Sequence, residues 1–363
     1  MSASPMPMEP TQRPSLQVVP YDSSRYAAYA RFAEQAWGRG AYQASQQYLK
    51  WLYGVERSPA PKRDDFLVAV NGSEVVGCMH KMRVQWNVDG AIVDVPALHN
   101  WMVSETHRTG VGVVLLTKAM RSDRHVYISS AAGELATMYR KLKCQELRAS
   151  WYRLVVRPLA GAIRLGLHRA TGSEPGTRGI SSRIRGLAPA ARSRGLELIT
   201  DPSDEDVARM IASLATSAGP TRAHPHWTNE SFRWRFFHSD GPKHFCLRLP
   251  GARSGRDDFA LIGIVPRRGL LTARIVELDL ASPERARPFV RAIVSLVKKL
   301  GVHVVLAYSA HPTINMRLED AGWKPLADGQ PSFLHHAARE LPFAEPAFNG
   351  SAADFAFESI GAG

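Results

Sequence analysis

His107-Arg108-Thr109-Gly110-Val111-Gly112 is the stretch on which the fold turns. The run AIVDVPALHNWMV (91–103) before it reads as a strand, with Pro96 marking a bend or bulge. After it a helix is expected over about 111–122, with Val113, Leu116 and Met120 on one face. Two glycines at such a junction let the backbone approach a ligand closely. The helix start behind them presents amides without intrahelical partners at the positive end of the dipole. That is a phosphate cradle, and Arg108 adds a cation beside it. A dinucleotide-binding turn would want a small residue at 115, where Leu115 stands, and an acidic ribose partner further on. A Walker loop would need Gly-Lys-Ser/Thr after the glycines, and none follows.

Working outward, FLVAV (66–70), the turn Asn71-Gly72 and EVVGCMHKMRVQW (74–86) make a β-hairpin. HVYISS (125–130) reads as a buried strand, 134–142 as a helix and 147–156 as the last strand of a module. The order then repeats. FALIGIV (259–265) and TARIVELDLA (272–281) are strands, and Ser282-Pro283 is an N-cap with a first-turn proline. The helix behind it carries Phe289, Ile293, Leu296 and Leu300 on one face and ends at Gly301. VHVVLAY (302–308) follows as a strand, and a short helix stops at Gly322. Two local echoes make the duplication explicit: YLKWLY (48–53) returns as SFRWRF (231–236), and MYRKLKC (138–144) as RLEDAGW (317–323). Trp51 and Trp234 thereby occupy matched positions, expected as core packing.

The chain has 363 residues, 45% hydrophobic and 22% charged, a globular composition long enough for two domains. No run reaches the length of a membrane span, and the opening residues lack a basic region followed by an apolar core. Three cysteines, Cys78, Cys144 and Cys246, are too few for a disulfide framework and share no metal-ligand spacing, so a cytoplasmic setting and no metal are expected. The basicity is local. Residues 157–194 hold eight arginines against Glu174 alone, +7 of the chain's +13. Boundaries follow as a loose arm (1–18), a first module (19–157), a basic linker (158–195), a second module (196–340) and a tail (341–363).

With hairpin, long strand, Gly-x-Gly turn, helix, strand and helix in this order, the chain resembles the GNAT acyltransferase superfamily. That family's pyrophosphate signature is Arg/Gln-x-x-Gly-x-Gly/Ala. HRTGVG matches it at both glycines, with His107 in the first position and Arg108 one step later. ATMYRKLKC is similar to the later motif ending Tyr-x-x-x-Gly-Phe, keeping Tyr139 while Lys143 and Cys144 replace Gly-Phe. The resemblance covers about 20–157 and, more faintly, 200–330. It implies a mixed α/β (α+β) fold of two GNAT-like modules in tandem, each a twisted mixed sheet flanked by helices. It implies acyl-CoA, acetyl-CoA above all, held by Val103, His107, Arg108, Thr109, Gly110, Val111 and Gly112. An amide near Val103 would polarise the thioester carbonyl, and the Tyr139 hydroxyl would protonate the departing thiolate. His99 is the candidate base; it and Asn100 are expected on opposite faces of their strand. Glu105 is a second candidate or a neutraliser of Arg108, and Glu134 a first-turn helix acid.

The copies differ where chemistry is expected. Ala281-Ser282-Pro283-Glu284 replaces the glycine turn, and Leu318 replaces Tyr139. Proline lacks a donor and Glu284 would repel phosphate, so the first copy should hold acyl-CoA and the second wall the acceptor pocket. The leading reading is an N-acyltransferase acting on a small amine, such as a nucleotide-linked amino sugar or a cell-surface precursor. The arginines would contact the acceptor's phosphates or an anionic membrane. One competing reading is a Fem-type peptidyltransferase drawing on aminoacyl-tRNA, another a non-catalytic phosphate or nucleic-acid module. Nucleic acid is disfavoured, since basic and aromatic residues do not interleave as on a single-strand platform.

Overall fold

The computed structural model describes residues 16–336 apart from 39, 55–58, 130, 132, 148, 220–222, 252–255 and 327–330. The tail and most of the arm lie outside these residues. The first half opens with β1 (Leu16–Pro20), α1 (Tyr26–Trp37), α2 (Gln46–Tyr53), β2 (Phe66–Asn71) and β3 (Glu74–Met82). It continues with β4 (Gln85–Val88), β5 (Ala91–Asp94), β6 (Ala97–Val103), α3 (Arg108–Arg121) and β7 (His125–Ile128). Then come α4 (Gly133–Lys141), β8 (Gln145–Leu147), β9 (Ser150–Val155) and three helices, α5 (Pro158–Thr171), α6 (Ile180–Arg185) and α7 (Ala188–Arg192). The second half starts with β10 (Glu197–Ile199), α8 (Asp204–Ala218), β11 (His224–His226), α9 (Asn229–Phe237) and β12 (His244–Leu249). β13 (Asp258–Arg267), β14 (Leu270–Asp279), α10 (Pro283–Lys299), β15 (Val304–Ser309), α11 (Pro312–Asp320) and β16 (Ser332–His336) complete it.

Two large sheets result, in the orders β1-β2-β3-β6-β7-β16-β8 and β10-β12-β13-β14-β15-β9. The halves trade a strand. β16, from the far end of the chain, lies antiparallel between β7 and β8, while β9 pairs antiparallel with β15 in the second sheet. An isolated bridge from Tyr152 to Pro325 continues the second sheet as β8 continues the first. The expected single strand 147–156 is thus two strands in two sheets. β4 and β5 also part from the strands they were read with. They pair through Asp89-Gly90, both at positive φ as a type I′ turn requires, and β4 takes β11 of the second half as its other neighbour. Pro96, which lacks an N–H, separates β5 from β6. At the other end, β1 begins inside the expected arm and pairs with β2 along the sheet edge.

A pseudo-two-fold axis runs through the repeat. Trp51 and Trp234 stack with centroids 4.9 Å apart and planes 13° from parallel. Each indole Nε1 donates to the other's backbone oxygen, at 3.1 and 3.0 Å. Near it the Tyr127 and Tyr308 hydroxyls lie 3.3 Å apart, and both reach Ser332 Oγ. Residues matched in sequence meet each other in space, as an isologous contact demands. The core around them draws Tyr48, Phe66 and Trp86 from the first half and Phe232, Phe236 and Tyr308 from the second.

The basic stretch is built into the second half: Ile184, Leu187 and Ala191 are buried with Phe289, Ile293 and Leu296 of α10. Ser282 stands at the N-cap of α10 without capping it, because its hydroxyl bonds Glu284 instead. α3 buries Val111, Gly112, Leu115, Leu116, Ala119 and Met120, whereas Val113 faces solvent. The segment 111–116 is apolar on several sides, so periodicity alone misplaced the face by Val113.

Lys143 has φ +57, the left-handed conformation that Gly322 adopts at the matched turn of the second half. An L side chain there costs about 1 kcal/mol. Lys143→Gly should therefore stabilise the protein by about 1 kcal/mol in urea unfolding. No gain would mean that Lys143 compensates elsewhere.

Candidate active site

The site begins with a fault in β6. It pairs with β3 in the register Cys78↔Met102 and then His80↔His99, one extra residue on β6, and Asn100 sits at φ +48. This is a bulge, which bends a strand and interrupts its alternation. On the other side β6 meets the parallel β7 at Ala97↔Tyr127 and Leu98↔Ile128, and beyond Leu98 the two part. Ser104 N–H donates to Val76 O, so strand alternation turns the Val103 amide away from β3 toward the opened edge.

The bulge corrects the expectation that His99 and Asn100 face opposite ways. Both reach one hydroxyl: Asn100 Nδ2 donates to Tyr48 Oη at 2.9 Å, and His99 Nδ1 lies 3.4 Å from it. Tyr42 Oη and Gln43 Nε2 each donate to Asn100 Oδ1 at 3.4 Å. Behind them His80 is fully buried, with Nε2 3.0 Å from Tyr29 Oη and Nδ1 2.8 Å from Tyr53 Oη. Burial lowers the His80 pKa to about 3, so the imidazole is neutral and gives one nitrogen to each role, donor and acceptor. Sequence reading missed Tyr48. The comparison that set Tyr139 against Leu318 would have exposed it, since its counterpart is Ser231.

Past Val103 the chain makes a single 3-10 turn, Glu105–His107, and enters α3 through Thr109 at ψ 107 and Gly110 at φ 85. No side chain caps this end. A Cβ at Gly110 would meet nothing within 4 Å, whereas one at Gly112 would come 3.2 Å from Trp101 Cζ2. Gly110 therefore supplies the turn and the open space, and Gly112 lets α3 lie against β6. His107 Nδ1 is held by the hydroxyls of Thr106 and Ser104, at 2.9 and 3.0 Å. Arg108 projects into solvent, its Nη2 3.3 Å from Glu105 Oε1.

Tyr139 packs on the other face of the sheet, its ring 5.4 Å from Phe333 of β16. Burial raises its pKa well above the usual phenol value, so it stays protonated. β16 thus brings a second-half side chain against the tyrosine, a neighbour its sequence distance concealed. Alternate residues of β2 divide between the two faces, Phe66 and Val68 with Tyr48, Leu67 and Ala69 with Tyr139. His99, which reaches Tyr48, and Tyr139 consequently lie on opposite faces of the sheet. Glu134 sits in the first turn of α4. Burial pushes all three thiols up, Cys144 to about 11, Cys246 to about 12 and Cys78 higher, away from nucleophilic thiolate. Among the described residues no group of three or more His, Cys, Asp or Glu could hold a metal.

The matched elbow of the second half is filled by the protein itself. Asp258, fully buried, accepts from the Ala281 amide at 2.5 Å, and its Oδ2 lies 3.1 Å from Arg285 Nη2. A carboxylate stands where the first elbow leaves open space, and Leu318 is buried at the position of Tyr139.

Residues 17–144 match the family model of the acetyltransferase (GNAT) domain. The structure is similar to Saccharomyces cerevisiae N-myristoyltransferase with bound myristoyl-CoA, at 13% identity and a TM-score of 0.62, covering 92% of this chain and 81% of that one. It is also similar to a GCN5-related N-acetyltransferase from Kribbella flavida, at 16% identity and 0.52, covering 89% and 72%. Another from Anabaena variabilis gives 10% and 0.54, covering 89% and 73%. No curated protein matches the sequence. Residues 17–144 therefore form a GNAT acetyltransferase domain, and the chain as a whole has the fold of two GNAT-like modules in tandem, with the glycine signature in the first.

Proposed function

We propose that the protein is an N-acyltransferase that moves an acetyl or other short acyl group from acyl-CoA to the primary amine of a small molecule, an amino sugar or cell-surface precursor. The observation that carries this reading is the contrast between the elbows: open at Gly110 in the first half, occupied by Asp258 in the second. An uncapped helix start with room above it suits a diphosphate. The gap between β6 and β7, with the Val103 amide turned into it, suits the extended amide-bearing arm of the same carrier.

Acyl-CoA supplies a carbonyl activated by a thiolate leaving group. The amides of Thr109–Gly112 would hold its diphosphate, with Arg108 as a mobile counter-charge. The Val103 N–H would donate to the thioester oxygen, where charge grows during attack. His99 accepts the proton leaving the amine, with Tyr48 and Asn100 fixing the ring's position. Tyr139 Oη donates its proton to the departing sulfur, so the proton lost at nitrogen is balanced by the one gained at sulfur. The second half closes the acceptor side.

Calorimetric titration with acetyl-CoA tests the first claim: binding at micromolar strength is expected, and a flat trace refutes it. Tyr139→Phe keeps the packing against Phe333 and should lower kcat by about 10²–10⁴-fold with unchanged acetyl-CoA affinity. An equal loss in binding would make Tyr139 structural.

A further inference from the structure

α5 presents a bare apolar face. Leu159, Ile163 and Leu167, one turn apart, are 82, 73 and 44% exposed, and Ala162 and Gly166 between them and Ala170 beyond them are exposed too. The opposite side is seated: Gly161 lies against Leu270 and His303, and His168 against Gly269. The helix is therefore docked by one stripe and offers another to its surroundings. Val155, at the end of the strand leading into it, extends the patch at 52% exposure. Single exposed leucines are ordinary; a continuous stripe beside clustered cations marks an interaction site.

The charge around it selects the partner. Arg157 precedes the helix and Arg169 lies on it, both exposed. Arg183 Nη1 donates to Leu300 O, next to exposed Lys298 and Lys299. Arg268 stands in the β13–β14 turn, whose Gly269 N–H donates to Glu174. That hydrogen bond, with His168 Nδ1 at 3.6 Å, engages the one acid of 157–194. A second copy docking here would bring like charge to like charge. An anionic surface with an apolar interior satisfies both halves of the patch.

We propose that α5 seats the protein on a bilayer of anionic phospholipid, with Leu159 and Ile163 entering the acyl boundary and the surrounding arginines and lysines on headgroup phosphates. The fold needs no spanning segment for this, and no described helix is long and apolar enough to cross a membrane. The proposal stands apart from the transfer reaction.

Flotation with phosphatidylcholine vesicles containing about 30% phosphatidylglycerol tests it. The full chain should float with these vesicles, remain below with pure phosphatidylcholine, and be released by about 0.5 M salt. Leu159→Gln with Ile163→Gln should weaken the partition by at least about tenfold while acetyl-CoA titration and thermal unfolding stay unchanged. Equal flotation of the variant overturns the proposal, as does a wild-type chain that never floats. A dimer abolished by the same substitutions, or flotation only after removal of 341–363, assigns the face to a second copy or to the chain's own tail and overturns it equally.

Discussion

Gly112→Val should weaken acetyl-CoA binding by at least about a hundredfold. Its Cβ alone would stand 3.2 Å from the Trp101 ring, and the two branches behind it would push the first turn of α3 off β6. The amides of that turn move with it. Losing two charge-assisted hydrogen bonds of about 1.5 kcal/mol each accounts for the factor. Gly110→Val acts differently: nothing occupies the space, but φ +85 is strained for any branched residue, and its side chain would stand where the diphosphate is proposed to lie. Glu284→Gln in the second half should change nothing, because Asp258 already occupies that elbow. Calorimetry on the three variants decides the matter. Undiminished affinity in Gly112→Val would remove the elbow from the binding site.

The second large effect is on stability. Lys81 and Arg83 are buried with Asp65 and Asp123 in a neutral quartet. Arg83 Nε and Nη2 donate to Asp65 at 2.8 and 2.6 Å, Arg83 Nη1 to Asp123 at 2.8 Å, and Lys81 Nζ to Asp123 at 2.6 Å. It ties the C-terminal end of α3 to β3 and the segment before β2. Arg83→Met should cost about 3–5 kcal/mol, since two carboxylates lose their main partner in place. Arg108→Gln, whose Glu105 pair is largely exposed, should cost under about 0.5 kcal/mol. Equal losses in urea unfolding would contradict this. Acid adds a signature. Burial alone would raise the Asp123 carboxyl, but hydrogen bonds from Arg83 and Lys81 bring it down to about 2. Its contribution is present above the ordinary carboxylate pKa and is lost as pH falls from about 4 through 2. Removing Arg83 moves that loss to higher pH.

Local chemistry made much of this architecture legible. Asn71-Gly72 announces its hairpin, Pro283 and Gly301 bracket α10, and the Trp51/Trp234 echo points to a duplication whose axis passes through those rings. Failures fall where a residue's role depends on a distant neighbour. Alternation places His99 and Asn100 on opposite faces; the bulge, set by pairing with β3, puts both on Tyr48. Nothing inside SWYRLV or SFLHH says which sheet will accept it, because strand composition encodes a pleated fit and not a partner. The quartet was invisible for the same reason: Asp65 and Asp123 are 58 positions apart and meet only after α3 has packed. The turn geometry at the elbow was legible, because a strand-to-helix glycine turn is a property of six consecutive residues.

The traded strands set the order in which the molecule can mature. On the ribosome the open elbow is made early, yet its sheet lacks an internal member until residues 332–336 emerge about two hundred codons later. Until then β7 and β8 expose unpaired edges, which is a hazard for a nascent chain. The half that carries the open elbow is first to be translated and last to be finished, and a message truncated before β16 would leave that half's sheet without an internal strand.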